Sequence, residues 1–234
     1  MDPAGIIAGW KQRLINLADH PGYVYVSTPR RLIKQEYRRL TTFVGYPESE
    51  VAAAESRLGV RFPAVFRQYL LEMGQSPGEL FDGSETAGPA GFDQLRADAL
   101  ELMAETDPAL TLPPEAIVFL FHQGYMFLYL LAASGFDGPV MSWTETEREP
   151  RQVAAGFAEM VDADLRLMED NNRQDHEDGG YYQILGTDGG GTQVHPPLAR
   201  AERPLDYAWL WRLVGIWPTV VDVAARVRRR LTGE

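Results

Sequence analysis

The side chains best able to do chemistry gather in a few short stretches. GTDGGGT, residues 186–192, has enough glycine to wrap a phosphate. A phosphate loop also needs a lysine followed by serine or threonine, and a dinucleotide fingerprint needs a strand before it and a helix after it. No lysine lies near and QVHPP follows, so the stretch reads as a flexible turn. DHED, residues 175–178, sets Asp175, Glu177 and Asp178 beside His176. Carboxylates with one imidazole suit magnesium, manganese or calcium better than zinc. Ligands on adjacent residues diverge, however, and the spacing fits neither an EF-hand loop nor an H-E-x-x-H helix. A solvated acidic loop is the simpler reading. His122 stands alone in an HQG turn and reads as structural or exposed rather than catalytic. Serine hydrolases display their nucleophile in G-x-S-x-G, which ASG at 133–135 and DGS at 82–84 do not fit. Glu145, Glu147 and Glu149 could imitate the carboxylate pair of a glycosidase. They alternate along a charged loop, with Trp143 as the one aromatic beside them.

Composition narrows the field further. The chain of 234 residues has no cysteine, which excludes disulfides, thiolate metal sites and cysteine nucleophiles. With 45% hydrophobic and 11% aromatic residues it can bury a large core. A net charge of −11 argues against nucleic acid, whose phosphates need clustered Lys and Arg. It favours solubility and a basic protein partner. MDPAGIIAGW has no basic run before its apolar patch, so it does not read as a secretory signal. YAWLWRLVGIWPTVV is broken by Arg212 and Pro218 and falls short of the roughly 20 apolar residues of a membrane span. The expected location is the cytoplasm, with neither membrane nor cofactor involved.

Several elements must position whatever works. Residues 5–18 place Ile6, Trp10, Leu14 and Leu17 on one helical seam. HPGYVYVSTP is β-prone, and Ile33 to Phe43 is helical with a basic outer face. Pro47 opens a helix bearing Val51, Ala54 and Leu58, which Gly59 ends as a left-handed cap. Pro63 starts a second helix bearing Phe66, Tyr69, Leu70 and Met73, with Phe62 stapled back onto it and Gly74 at its end. Residues 75–93 read as an acidic loop, followed by a helix over 93–105. AIVFLF, YMFLYLL and PVMSW, separated by glycine-bearing turns, predict a three-stranded meander. The first two runs are apolar at nearly every position, which implies cover on both faces. TETEREPRQ reads as surface loop. Val153, Phe157, Met160, Val161, Leu165 and Met168 predict a helix. Residues 169–178 read as acidic loop, YYQIL as a strand and the segment after Pro218 as a final helix.

ESRLGVRFPAVFRQYLLEMG, residues 55–74, resembles the signature of the SUKH superfamily, the Smi/Knr family. The matching residues are Glu55, Leu58, Gly59, Phe62, Pro63, Phe66, Tyr69, Leu70 and Gly74. VFLFHQGYMFLYL and GPVMSW, with Gly124 and Trp143, resemble that family's meander. The resemblance implies an α+β fold: a curved, mixed but mostly antiparallel sheet with a central meander packed by several helices. The chain is expected to divide into an N-terminal helical extension (1–44), a SUKH-like core (45–168) and a segment (169–234) of acidic loop, short strand and C-terminal helix packed on the same domain. The resemblance also implies action by binding, since many bacterial members are immunity proteins that neutralise a cognate polymorphic toxin without catalysis.

The expected partner is therefore a basic toxin domain. The acids of 79–107 and 169–178 would steer it, with Asp175, Glu177, Asp178, Tyr181 and Tyr182 as the contact candidates. Two other readings stay open: a divalent-metal hydrolase built on Asp175 to Asp178, and a regulatory adaptor with no toxin partner.

Overall fold

The computed structural model describes residues 2–20, 33–132 and 135–177. The helices are α1 (Pro3–Asp19), α2 (Ile33–Thr41), α3 (Glu48–Leu58), α4 (Ala64–Met73), α5 (Phe92–Thr106) and α6 (Phe157–Glu177). The strands are β1 (Glu85–Thr86), β2 (Ala116–His122), β3 (Met126–Leu131), β4 (Val140–Thr144) and β5 (Arg151–Ala154). They form one sheet in the order β1-β2-β3-β4-β5. Every pairing between them is antiparallel, so the parallel pairing that a mixed sheet implies is absent among the described strands. The α+β architecture and its central meander are as the sequence predicts.

Both faces of the sheet are covered, which is why every residue of β2 is buried. On one face Ile117, Phe119, Leu128 and Leu130 pack with α1, α3, α4 and α6. On the other, Val118, Phe127, Tyr129 and Trp143 pack with Leu95, Ala99 and Met103 of α5. Alternation along β2 sends neighbours to opposite layers, and a bulge between Val118 and Leu120 resets it so that the adjacent Phe119 and Leu120 both face the helix side. The hairpin turn between β2 and β3 has left-handed φ at Gln123 (49°) and Gly124 (77°), as primed hairpin turns demand.

Three predicted spans need correction. The 75–93 loop contains β1, a two-residue edge strand with no local pattern to reveal it. The charged loop after β4 ends in β5, so Val153 lies on a strand and the helix begins only at Phe157. The acidic loop at 169–178 is helical through Glu177. Its polar surface hides the periodicity, because contacts with α1 replace apolar burial. Arg13 of α1 binds both oxygens of Glu169, at 2.7 and 2.9 Å, and Asn172 reaches Leu17 O at 3.4 Å.

Candidate functional site

The α3–α4 corner is built from local rules. Gly59 takes φ 67°, a conformation that costs glycine little and other residues more. Its N–H bonds Ser56 O, and Val60 N–H bonds Glu55 O at 3.0 Å. That pair closes the helix as a Schellman motif. The start of α4 has no side-chain cap. Its first amides are satisfied from a distance: Ala64 N–H donates to Gly135 O and Val65 N–H to Phe136 O, both at 3.0 Å.

Glu55 lies at the centre of the corner and is 5% exposed. Its Oε1 accepts from Phe62 N–H at 2.9 Å, and its Oε2 from Arg67 Nε at 3.2 Å. Arg67 also donates to Glu48. These bonds raise the Arg67 guanidinium and hold the Glu48 carboxyl below its ordinary value. A groove of about 480 Å³ runs beside them, with Ser56, Val60 and Arg61 on its walls. Its carboxylates and Arg67 are bonded to one another, so the arrangement serves as a strut between the two helices. The other signature residues are structural as well. Phe62, Phe66, Tyr69 and Leu70 are buried in the helix-side core. Burial pushes the Tyr69 hydroxyl up. Leu58 packs at the edge of that core, and Gly74 ends α4. Trp143 is wholly buried on the other face, stacked on Phe127 at 5.5 Å.

The turn before β4 does more than reverse the chain. Asp137 Oδ1 accepts from Phe157 N–H at 2.8 Å and Oδ2 from Ala158 N–H at 3.0 Å, which caps α6. A Cβ on Gly156 would sit 2.2 Å from Asp137 Oδ2, so a side chain there would push the capping carboxylate aside. Asp137→Ala should cost about 1–2 kcal/mol in urea unfolding, and Asp137→Asn less, since it keeps one acceptor but loses the charge that favours a helix N-terminus. Equal losses for the two variants would show that the neutral acceptor kept by asparagine contributes nothing and that the carboxylate charge carries the cap.

His122 is 1% exposed, and burial lowers its pKa. Its Nδ1 lies 3.0 Å from Ser84 Oγ. A hydroxyl beside an imidazole is half of a nucleophile–base arrangement, yet the buried ring here ties the 75–86 segment to the end of β2. Beside the Glu145–Glu149 row, Trp143 is wholly buried and so offers no platform for a sugar ring. Glu147 is half-buried, which raises its pKa, and it pairs with Arg151 at 3.5 Å.

The acidic surface is better defined. Residues 79–107 carry eight carboxylates against a single cation, Arg96. Arg96 is committed inward, to Ala116 O at 2.8 Å, Pro113 O at 2.9 Å and Leu112 O at 3.3 Å. Arg57 engages Asp93 at 2.5 Å. Glu101, Glu105 and Asp107 remain exposed along α5 and just past its end, on the side of the sheet away from α1 and α6.

Of the predicted contact residues, Asp175 and Glu177 belong to the last turn of α6. Their side chains, and Asp178, Tyr181 and Tyr182 altogether, lie outside the described residues. So do GTDGGGT, YYQIL and the predicted final helix. Among the described residues no group of three or more His, Asp or Glu side chains could hold a metal, and no helix is long and apolar enough to cross a membrane. Sequence reasoning missed Asp137 and Arg96, whose partners are distant, and Asp164, an acid on the apolar stripe of α6 that periodicity could have flagged. No curated protein sequence matches the chain. The profile of the SMI1 / KNR4 family (SUKH-1) matches residues 45–163, more than half of the chain and the span that holds both the corner and the meander, and the chain belongs to that family.

Proposed function

We propose that this chain is a non-catalytic binding module, an immunity protein that acts in the cytoplasm by occupying the basic cleft of a cognate toxin domain. Family membership supports action by binding. The observation that carries the partner's charge is the face of α5, where Glu101, Glu105 and Asp107 stand exposed while the nearby cations, Arg96 and Arg57, are engaged elsewhere. Such a field speeds encounter with a cationic surface and is weakened by salt. The corner and the meander supply a rigid frame for that face, and buried aromatic anchors at the contact would supply most of the affinity.

The test begins with co-purification from the native cell, identification of the bound protein by mass spectrometry, and its purification. Glu101→Arg with Glu105→Arg should slow association with that protein by about tenfold or more at low salt and flatten the salt dependence, leaving the fold intact by circular dichroism. An unchanged association rate would place the contact on another face. A partner without a basic surface would refute the electrostatic reading.

A further inference from the structure

Packing gives Asp164 no reason to be an acid. It lies on the core stripe of α6, two turns from Phe157 and beside Leu165. It is 2% exposed, and neither carboxylate oxygen has a hydrogen-bond partner. A charge in such a place is uncompensated and poorly solvated. The cations on neighbouring elements are engaged elsewhere. Arg13 of α1 holds Asp162 and Glu169, Lys11 holds Glu72 of α4, and Arg151 of β5 holds Glu147, while Arg39 of α2 holds Glu36, reaches Gly78 O at 3.5 Å and faces Glu79 and Asp82 from outside, an attraction that helps hold the 75–86 segment at every pH considered. The charge that bears on Asp164 is another carboxylate, Glu79.

Glu79 belongs to a segment that closes over α6. Leu80 and Phe81 behind it are buried. The Phe81 ring lies 6.3 Å from Phe157 and 6.1 Å from Tyr69. Phe81 adopts φ 63°, a left-handed backbone that is strained for an aromatic residue. The segment is tied down by Ser84 N–H to Phe81 O at 3.0 Å, by Asp82 N–H to Glu79 O at 3.4 Å and by the Ser84–His122 contact.

We propose that residues 75–86 are a latch over α6 worked by one proton on Asp164: the neutral acid lets Glu79, Leu80 and Phe81 seat, and the carboxylate repels Glu79, draws in water and loosens the segment. Burial, and then Glu79, push Asp164 up from its ordinary value of 3.8 to about 7. Because the closed-state value is the higher one, closure is strongest below 3.8, weakens as pH rises toward about 7 and levels off beyond it. His122 works in the opposite sense. Its lowered value means that protonation at low pH weakens the Ser84 tether. The latch stands on the packing alone. That it would tune the acidic face, through Asp82 and Glu85, rests on the binding role proposed above.

Amide hydrogen exchange between pH 5 and 8, corrected for intrinsic rates, reads the latch directly in the isolated protein. Protection at Asp82 and Ser84 should fall on the order of tenfold to a hundredfold over that interval, while β3 amides hold theirs. Asp164→Asn should abolish the fall. The proposal is overturned if protection is flat in the unaltered protein, if Asp164→Asn keeps the fall, or if all amides lose protection together. Should that variant not fold, carbon-13 NMR titration of the Asp164 carboxyl decides: a midpoint near 7 supports the latch and one near 4 removes it. None of these readings depends on a partner.

Discussion

Phe66→Ala is expected to cost about 3–5 kcal/mol in urea unfolding, the largest loss of any single truncation in the helix-side core. Phe66 is 1% exposed. Its ring lies 5.1 Å from Phe157, 5.7 Å from Phe62 and Phe119, 6.0 Å from Phe92 and 6.1 Å from Tyr69. These partners come from α4 itself, the residue before its cap, α5, β2 and α6, so one ring joins four elements. Edge-on and tilted aromatic pairs contribute beyond their buried area, and rings arriving from four directions on rigid elements cannot close the hole that alanine would leave. Phe66→Leu should lose far less, because it fills much of the volume. Phe136, 49% exposed on the turn before β4, is the control; its truncation to alanine should stay within about 0.5 kcal/mol. A Phe66→Ala loss below about 1 kcal/mol would mean that the cluster can collapse around the gap and is not the packing centre.

The same geometry explains which parts of the molecule could be read in advance. The α3–α4 corner was legible because its signals are local. Gly59 must accept a left-handed φ, Pro63 has no amide to lose, and the apolar residues of both helices recur every three or four positions. The meander was legible because β2 and β3 are apolar throughout and flank a turn that needs glycine. The misses share one cause, dependence on distant partners. β1 and β5 are short edge strands that exist only through pairing with β2 and β4. The end of α6 is helical through ion pairs with α1. Asp137 caps a helix that starts twenty residues later. The acid on the α6 stripe was visible as a flaw in the pattern, but only the packing shows that no donor answers it. The acidic face was half legible: the carboxylates of α5 could be counted, whereas the inward turn of Arg96, which leaves them unopposed, could not.

Glu55→Ala is the second large effect, with an expected loss of about 3 kcal/mol, since a buried pair broken on one side leaves unanswered groups behind. The change strands Phe62 N–H, whose 2.9 Å bond joins the corner to the helix it follows, and frees Arg67 from its inner partner. Glu55→Gln should lose roughly half as much, because an amide oxygen can still accept from Phe62 N–H while the charge facing Arg67 is gone. A double-mutant cycle separates the two bonds. If the ion pair matters, Glu55→Ala and Arg67→Ala together should cost less than the sum of the singles, with a coupling of about 1 kcal/mol. The side chain of Arg67 is 26% exposed, so screening by water keeps that coupling at the modest end. Additivity within about 0.3 kcal/mol would assign the whole loss to the backbone bond at Phe62. The Glu55 side chain would then hold the corner through the Phe62 bond alone, with Arg67 answering Glu48 rather than the buried acid.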